Sequence, residues 1–145
     1  MKHLIVIAGL VAAVAPLCTA QAAPIAISSK ATYNDALTCY QHYALATEAA
    51  SKLEQNPDLS ADQAAGFQLQ AILARKVLAS WSKQLETLAG KRSKDEISAD
   101  VKKVGVPIIA DVNAALAGDK AAALRGTERS KTCASFETVG AAAKK

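Results

Sequence analysis

Cys39-Tyr40-Gln41-His42 places a thiol and an imidazole one helical turn apart, and no other short segment of this chain is so well suited to chemistry. That spacing serves either a thiolate–imidazole pair or half of a tetrahedral metal site. Neither is completed elsewhere. The chain holds three cysteines and two histidines, and His3 and Cys18 both fall in a segment that reads as a removable leader. Cys39, His42 and Cys133 then remain, too few for a tetrahedral ligand set. A haem-carrying bundle requires a Cys-x-x-Cys-His attachment or paired His and Met ligands, and the single methionine is Met1. No Gly-x-Ser-x-Gly elbow marks a serine hydrolase. These residues predict no enzyme, no metal site and no cofactor; Cys39 and Cys133 are expected to pair with each other.

The expectation of a disulfide rests on where the protein works. Lys2 and His3 form a charged head, Leu4 to Leu17 an apolar stretch, and Ala20-Gln21-Ala22 a small-x-small end. Together they match a secretory signal peptide, residues 1–22, cut after Ala22. At about fourteen residues, with Pro16 near its end, the apolar run is too short to span a bilayer. Pro16 and Leu17 before Cys18 do not suit lipid attachment. The protein is expected to be periplasmic or secreted, with no transmembrane anchor, in a compartment where thiols oxidise.

What remains, residues 23–145, has the length of one domain with one core. The formal charge of +4 falls to +3 once Lys2 leaves, far from the basic stripe of a nucleic-acid binder. Alanine is abundant, glycine and aromatic residues are scarce, and no alternating β-branched run marks a strand. Four helical segments are predicted. The first, about 31–54, carries Ala36, Cys39, Tyr43, Ala46, Ala50 and Leu53 at spacings of three and four, and stops at Gln55-Asn56-Pro57-Asp58. The second opens on the capping box Ser60-Ala61-Asp62-Gln63 and runs through Ala64, Phe67, Ala71, Ala74, Leu78, Trp81, Leu85 and Leu88 to Gly90. The third opens on Ser93-Lys94-Asp95-Glu96 and carries Ile97, Val101, Val104, Ile108, Val112 and Leu116 toward Gly118, with a kink or break expected at Gly105-Val106-Pro107. Asp119 caps a fourth, about 120–139, with Ala122, Leu124, Cys133, Phe136 and Val139 as its apolar positions.

Short connections between long helices predict an all-α, up-down-up-down four-helix bundle over residues 31–140. Residues 23–30 are expected to form a flexible N-terminus and 141–145 a flexible basic tail. Cys39 stands about eight residues above the start of helix 1 and Cys133 about six before the end of helix 4, so at about 1.5 Å per residue they share a height. The bundle register places Trp81 in their layer beside Phe136, and Phe67 in a layer with Leu53 at the far end.

The same topology sorts the charges. Lys30, Lys91, Arg92, Lys94, Lys144 and Lys145 gather at one end; Glu54, Asp58, Asp62, Asp111 and Asp119 gather at the other. The basic end would suit an anionic envelope surface or an acidic face of another envelope protein. The expected function is therefore a noncatalytic exported binding, chaperone-like or envelope-accessory module. The alternative is a small-molecule or cofactor carrier with an apolar cavity between helices beside Val104 and Ile108. A filled interior with an exposed apolar strip favours the first, and a large apolar pocket the second.

Overall fold

The computed structural model describes residues 25–139. Helices α1 (Tyr33–Glu54), α2 (Ala61–Ala89), α3 (Lys94–Leu116) and α4 (Lys120–Ser135) run up, down, up and down, flanked by two short strands, β1 (Ile25–Ile27) and β2 (Glu137–Val139). The residues read as a signal peptide and as a basic tail lie outside the described residues.

Side-chain chemistry starts each helix where the backbone N–H groups lack partners. Ser60 Oγ accepts from the Gln63 amide while Gln63 Oε1 accepts from that of Ser60; Ser93 and Glu96 repeat the exchange. Thr32 and Asp35 make a third such box, which sets the start of α1. Asp119 Oδ1 accepts from the amides of Ala121 and Ala122. At the other ends Gly90 (φ 61°) and Gly118 (φ 99°) take left-handed conformations that cost a glycine least. No described helix is long and apolar enough to cross a membrane.

The core lies mainly between α1 and α2. Leu37, Cys39, Tyr43, Val77, Trp81, Leu85 and Cys133 form its centre, with Phe136 packed against it. Trp81 is fully buried and meets Phe136 edge to face at 6.1 Å between ring centroids. The Cys39–Cys133 disulfide joins α1 to α4 with 5.5 Å between Cα atoms, and Trp81 belongs to the same core cluster as the bridge. Phe67 and Leu53, expected to form a far layer, are each only half-buried.

Two features depart from the sequence reading, and a third excludes the break but not the kink expected at Pro107. Residues 25–27, expected within a flexible N-terminus, form β1, paired antiparallel with β2 in the register Ile25 to Val139 and Ile27 to Glu137. Ile25 and Ile27 pack against the core, Ser80 Oγ on α2 donates to the Ile25 carbonyl, and Ser28 N–H donates to the Phe136 carbonyl. The fourth helix accordingly stops at Ser135 rather than at about 139, because the chain turns at Phe136 to enter β2. Finally, α3 is not broken by Pro107. It runs continuously through it, at the cost of the helical hydrogen bond to the Lys103 carbonyl that a proline cannot make.

Helix α3 also sits unusually far out. Gly105, Ile108 and Ala115 are its buried residues, while Val101, Val104, Val112 and Leu116 are half-exposed. Gly105 faces the Gln41 side chain of α1 so closely that an added Cβ would come within 2.8 Å of Gln41 Nε2. The missing side chain lets the two helices approach at this point.

Candidate functional site

His42 is 2% exposed, and its Nε2 lies 3.0 Å from Ser130 Oγ on α4. The Ser130 hydroxyl donates back to the Gly126 carbonyl at 3.1 Å, so the arrangement that satisfies both groups puts the proton on His42 Nε2 and lets it donate to Ser130. Burial, helped by the Arg129 cation, depresses the imidazole pKa to about 4. With Cys39 in the disulfide and His42 neutral and enclosed, the Cys-x-x-His pair joins helices. It has no open face for a substrate. Among the described residues no cluster of three or more His, Cys, Asp or Glu side chains could hold a metal ion.

Beside it lies a polar group that the sequence did not disclose. Glu137 on β2 accepts from Trp81 Nε1–H at 2.9 Å and from the Tyr43 hydroxyl. Burial raises the Glu137 pKa, opposed by these two donors, and burial together with the Glu137 charge raises that of Tyr43. The network pins β2 across α1 and α2.

Two of the surface concavities lie between α1 and α3. The first is a cleft of about 550 Å³ at the end where these helices begin. Leu37, Val104, Pro107 and Ile108 give it apolar walls; Asn34, Thr38, Lys103 and four groups already engaged supply polar ones. Of the engaged groups, the Tyr33 hydroxyl donates to Asp100 Oδ2 at 2.9 Å. The Arg92 guanidinium lies 4.2 Å from the Tyr33 ring centroid, with Nε 4.0 Å from Asp100 and Nη1 donating to the Ala89 carbonyl. Arg129 enters from α4, one end held by Asp111 Oδ2 at 2.7 Å. Asp111 is shared with Arg125, and these guanidinium hydrogen bonds lower its carboxyl pKa.

The second is an apolar groove of about 510 Å³ toward the opposite end. Leu45, Ala49 and Leu53 form one wall at a spacing of four; Ile109, Val112 and Leu116 form the other at spacings of three and four. Val106, one turn before Ile109, is 68% exposed. Val112 and Leu116, read from the sequence as the last positions of the α3 core seam, are thus only partly covered.

The cations expected at the basic end are distributed unequally. Lys30, Lys91 and Lys94 are exposed and make no ion pair among the described residues, whereas Arg92 is drawn into the cleft wall by Tyr33 and Asp100. Lys144 and Lys145 lie outside the described residues. Sequence reasoning missed Asn34, Thr38, Asp100, Lys103 and Arg129 as a group. Part of the signal was legible: Arg125 and Arg129, four apart in the polar middle of the last segment, mark one face that must meet an acid.

Comparison with family models, with curated proteins and with solved structures finds no match to this chain. The class defined by the coordinates is an all-α four-helix domain closed by one disulfide between its first and last helices.

Proposed function

We propose that this protein is a noncatalytic exported binding module that receives an amphipathic helix of another envelope protein in the groove between α1 and α3. The observation carrying this reading is the pair of parallel apolar stripes, Leu45-Ala49-Leu53 and Ile109-Val112-Leu116, continued by the exposed Val106. An amphipathic helix fits such a groove through apolar residues at helical spacing. The filled core around Trp81 supports it, since a binding module needs no interior cavity. The concavity beside Val104 and Ile108 has charged as well as apolar lining, so it suits a charged small ligand better than the wholly apolar one of the carrier alternative. Export is supported by the leader pattern of residues 1–22 and by a disulfide of the kind that persists in oxidising compartments.

The test is site-specific photocrosslinking in the intact envelope, with the crosslinker at position 109 and, as a control, at the exposed position 65 on α2. A discrete protein adduct from position 109 alone is the expected result. Adducts to lipid from position 109 would replace the reading with docking of the groove on a membrane, and equal labelling from both positions with no specific docking at all.

A further inference from the structure

We infer that the polar cleft between α1 and α3 is a binding site for a small organic carboxylate with an apolar body. The site is distinct from the apolar groove and does not depend on a protein occupying that groove.

Three cations, Arg92, Lys103 and Arg129, line the cleft against one carboxylate, Asp100. That carboxylate is already engaged by the Tyr33 hydroxyl and the Arg92 guanidinium. The positive groups are only partly used. Arg129 spends one nitrogen, Nη2, on Asp111 with its side chain 16% exposed, and its other N–H groups have no partner among the described residues. Lys103 makes no ion pair there, and neither the Asn34 amide nor the Thr38 hydroxyl has a side-chain hydrogen bond. The result is a cleft with spare donors and a net positive charge, whose one carboxylate already faces Tyr33 and Arg92.

The guanidinium groups are also held in place before any ligand arrives. Arg92 is stacked on Tyr33 and tied to Asp100 and Ala89, and Arg129 is fixed by Asp111. Planar, oriented forks match the two oxygens of a carboxylate, and holding them in advance lowers the ordering cost of binding. The remaining lining, Leu37, Val104, Pro107 and Ile108, gives an apolar body somewhere to lie. A bare inorganic anion would leave these four residues in water. A neutral apolar molecule would leave the cations unanswered. Orientation by a few polar groups over an apolar bed is how small-ligand sites are generally built.

Octanoate is the probe, titrated into the ¹⁵N-labelled mature protein and followed by amide chemical shifts, with octanamide and inorganic phosphate as comparison ligands. Saturable shifts centred on residues 34–38 and 103–108 are expected, with octanamide at least tenfold weaker and phosphate unable to compete. Lys103→Gln and Thr38→Val should each weaken octanoate several-fold, with spectra otherwise like the parent's, while Lys91→Gln on the neighbouring turn leaves affinity unchanged. The inference is overturned by equal binding of octanamide or by effective competition from phosphate. Shifts confined to the groove around Leu45 and Val112, or no saturation by about 10 mM, a range that even a weak site reaches, overturn it too. A positive titration with no crosslink from position 109 would leave the carboxylate site standing while the docking reading falls; the reverse pattern would do the opposite.

Discussion

Reducing the Cys39–Cys133 bond removes one covalent constraint and leaves the atoms around it nearly in place, so its effect on stability can be worked from the length of chain it closes. The two cysteines are 94 residues apart. In the chain-entropy treatment a loop of that length restricts the unfolded chain enough to stabilise the native state by about 4.7 kcal/mol at 25 °C. Unfolding entropy near the midpoint is about 2.1 cal/mol/K per residue, or about 0.24 kcal/mol/K over the 115 residues from 25 to 139. Dividing one by the other predicts that reduction lowers the Tm by about 15–20 °C. The assay is thermal unfolding followed by far-ultraviolet circular dichroism, oxidised against phosphine-reduced, with thiol counting to show that the buried bond has opened. A Tm shift below about 5 °C with both thiols titratable would refute the reasoning, because the ends would then be held by packing and the ribbon alone. Free thiols before reduction would refute it sooner.

Stability should fall as pH drops from 6.5 toward 4. The His42 pKa lies at about 4 when folded against an ordinary 6.5, so its contribution is present above 6.5 and lost as pH falls through 4, by about 3 kcal/mol in all. Glu137 acts with the opposite sign. Its raised pKa gives stability that is complete below the ordinary glutamate range and lost as pH rises through the folded value, so Glu137→Gln should steepen the acid loss in denaturant titrations and His42→Gln should flatten it. Trp81→Phe keeps the ring in the core but removes the donor to Glu137, and should cost about 1–3 kcal/mol in the same assay. Gly105→Ala should be close to neutral, the better helix former being offset by displacement of Gln41; combined with Gln41→Ala it should stabilise by about 0.5–1 kcal/mol. No gain in the double variant would mean that the clash lies with backbone rather than with the Gln41 side chain.

Local rules made the helices legible. The boxes at Ser60 and Ser93 and the glycines at 90 and 118 act over a few residues, so they can be read without knowing what packs on what. The disulfide was legible because Cys39 and Cys133 were the only pair left after the leader and their heights along antiparallel helices agree. The ribbon was not. Three residues are too few to show a strand period, and β1 finds its partner more than a hundred positions away. Nor was the opening between α1 and α3, since the stripe from Ile109 to Leu116 has the same spacing whether its own chain covers it or leaves it half-exposed. The cleft takes Pro107 from α3, Leu37 from α1 and Arg129 from α4, and only the assembled fold brings these together.

The pairing of Ile25 with Val139 brings the two limits of the described chain side by side. In topological terms the domain is nearly a ring, interrupted at the ribbon and spanned inside it by the disulfide. A short linker from 139 to 25 would complete that ring without moving a helix, and the chain could then be opened elsewhere. The turn at Asn56-Pro57-Asp58 suits this because it joins α1 and α2 far from the Trp81 layer and its peptide groups bond only to near neighbours. A chain starting at residue 58 and ending at 57 would meet its cysteines in the opposite order, Cys133 before Cys39, and should still close the same bond. The two openings between α1 and α3 would survive this reordering, since their positions depend on which surfaces meet and not on which segment is made first.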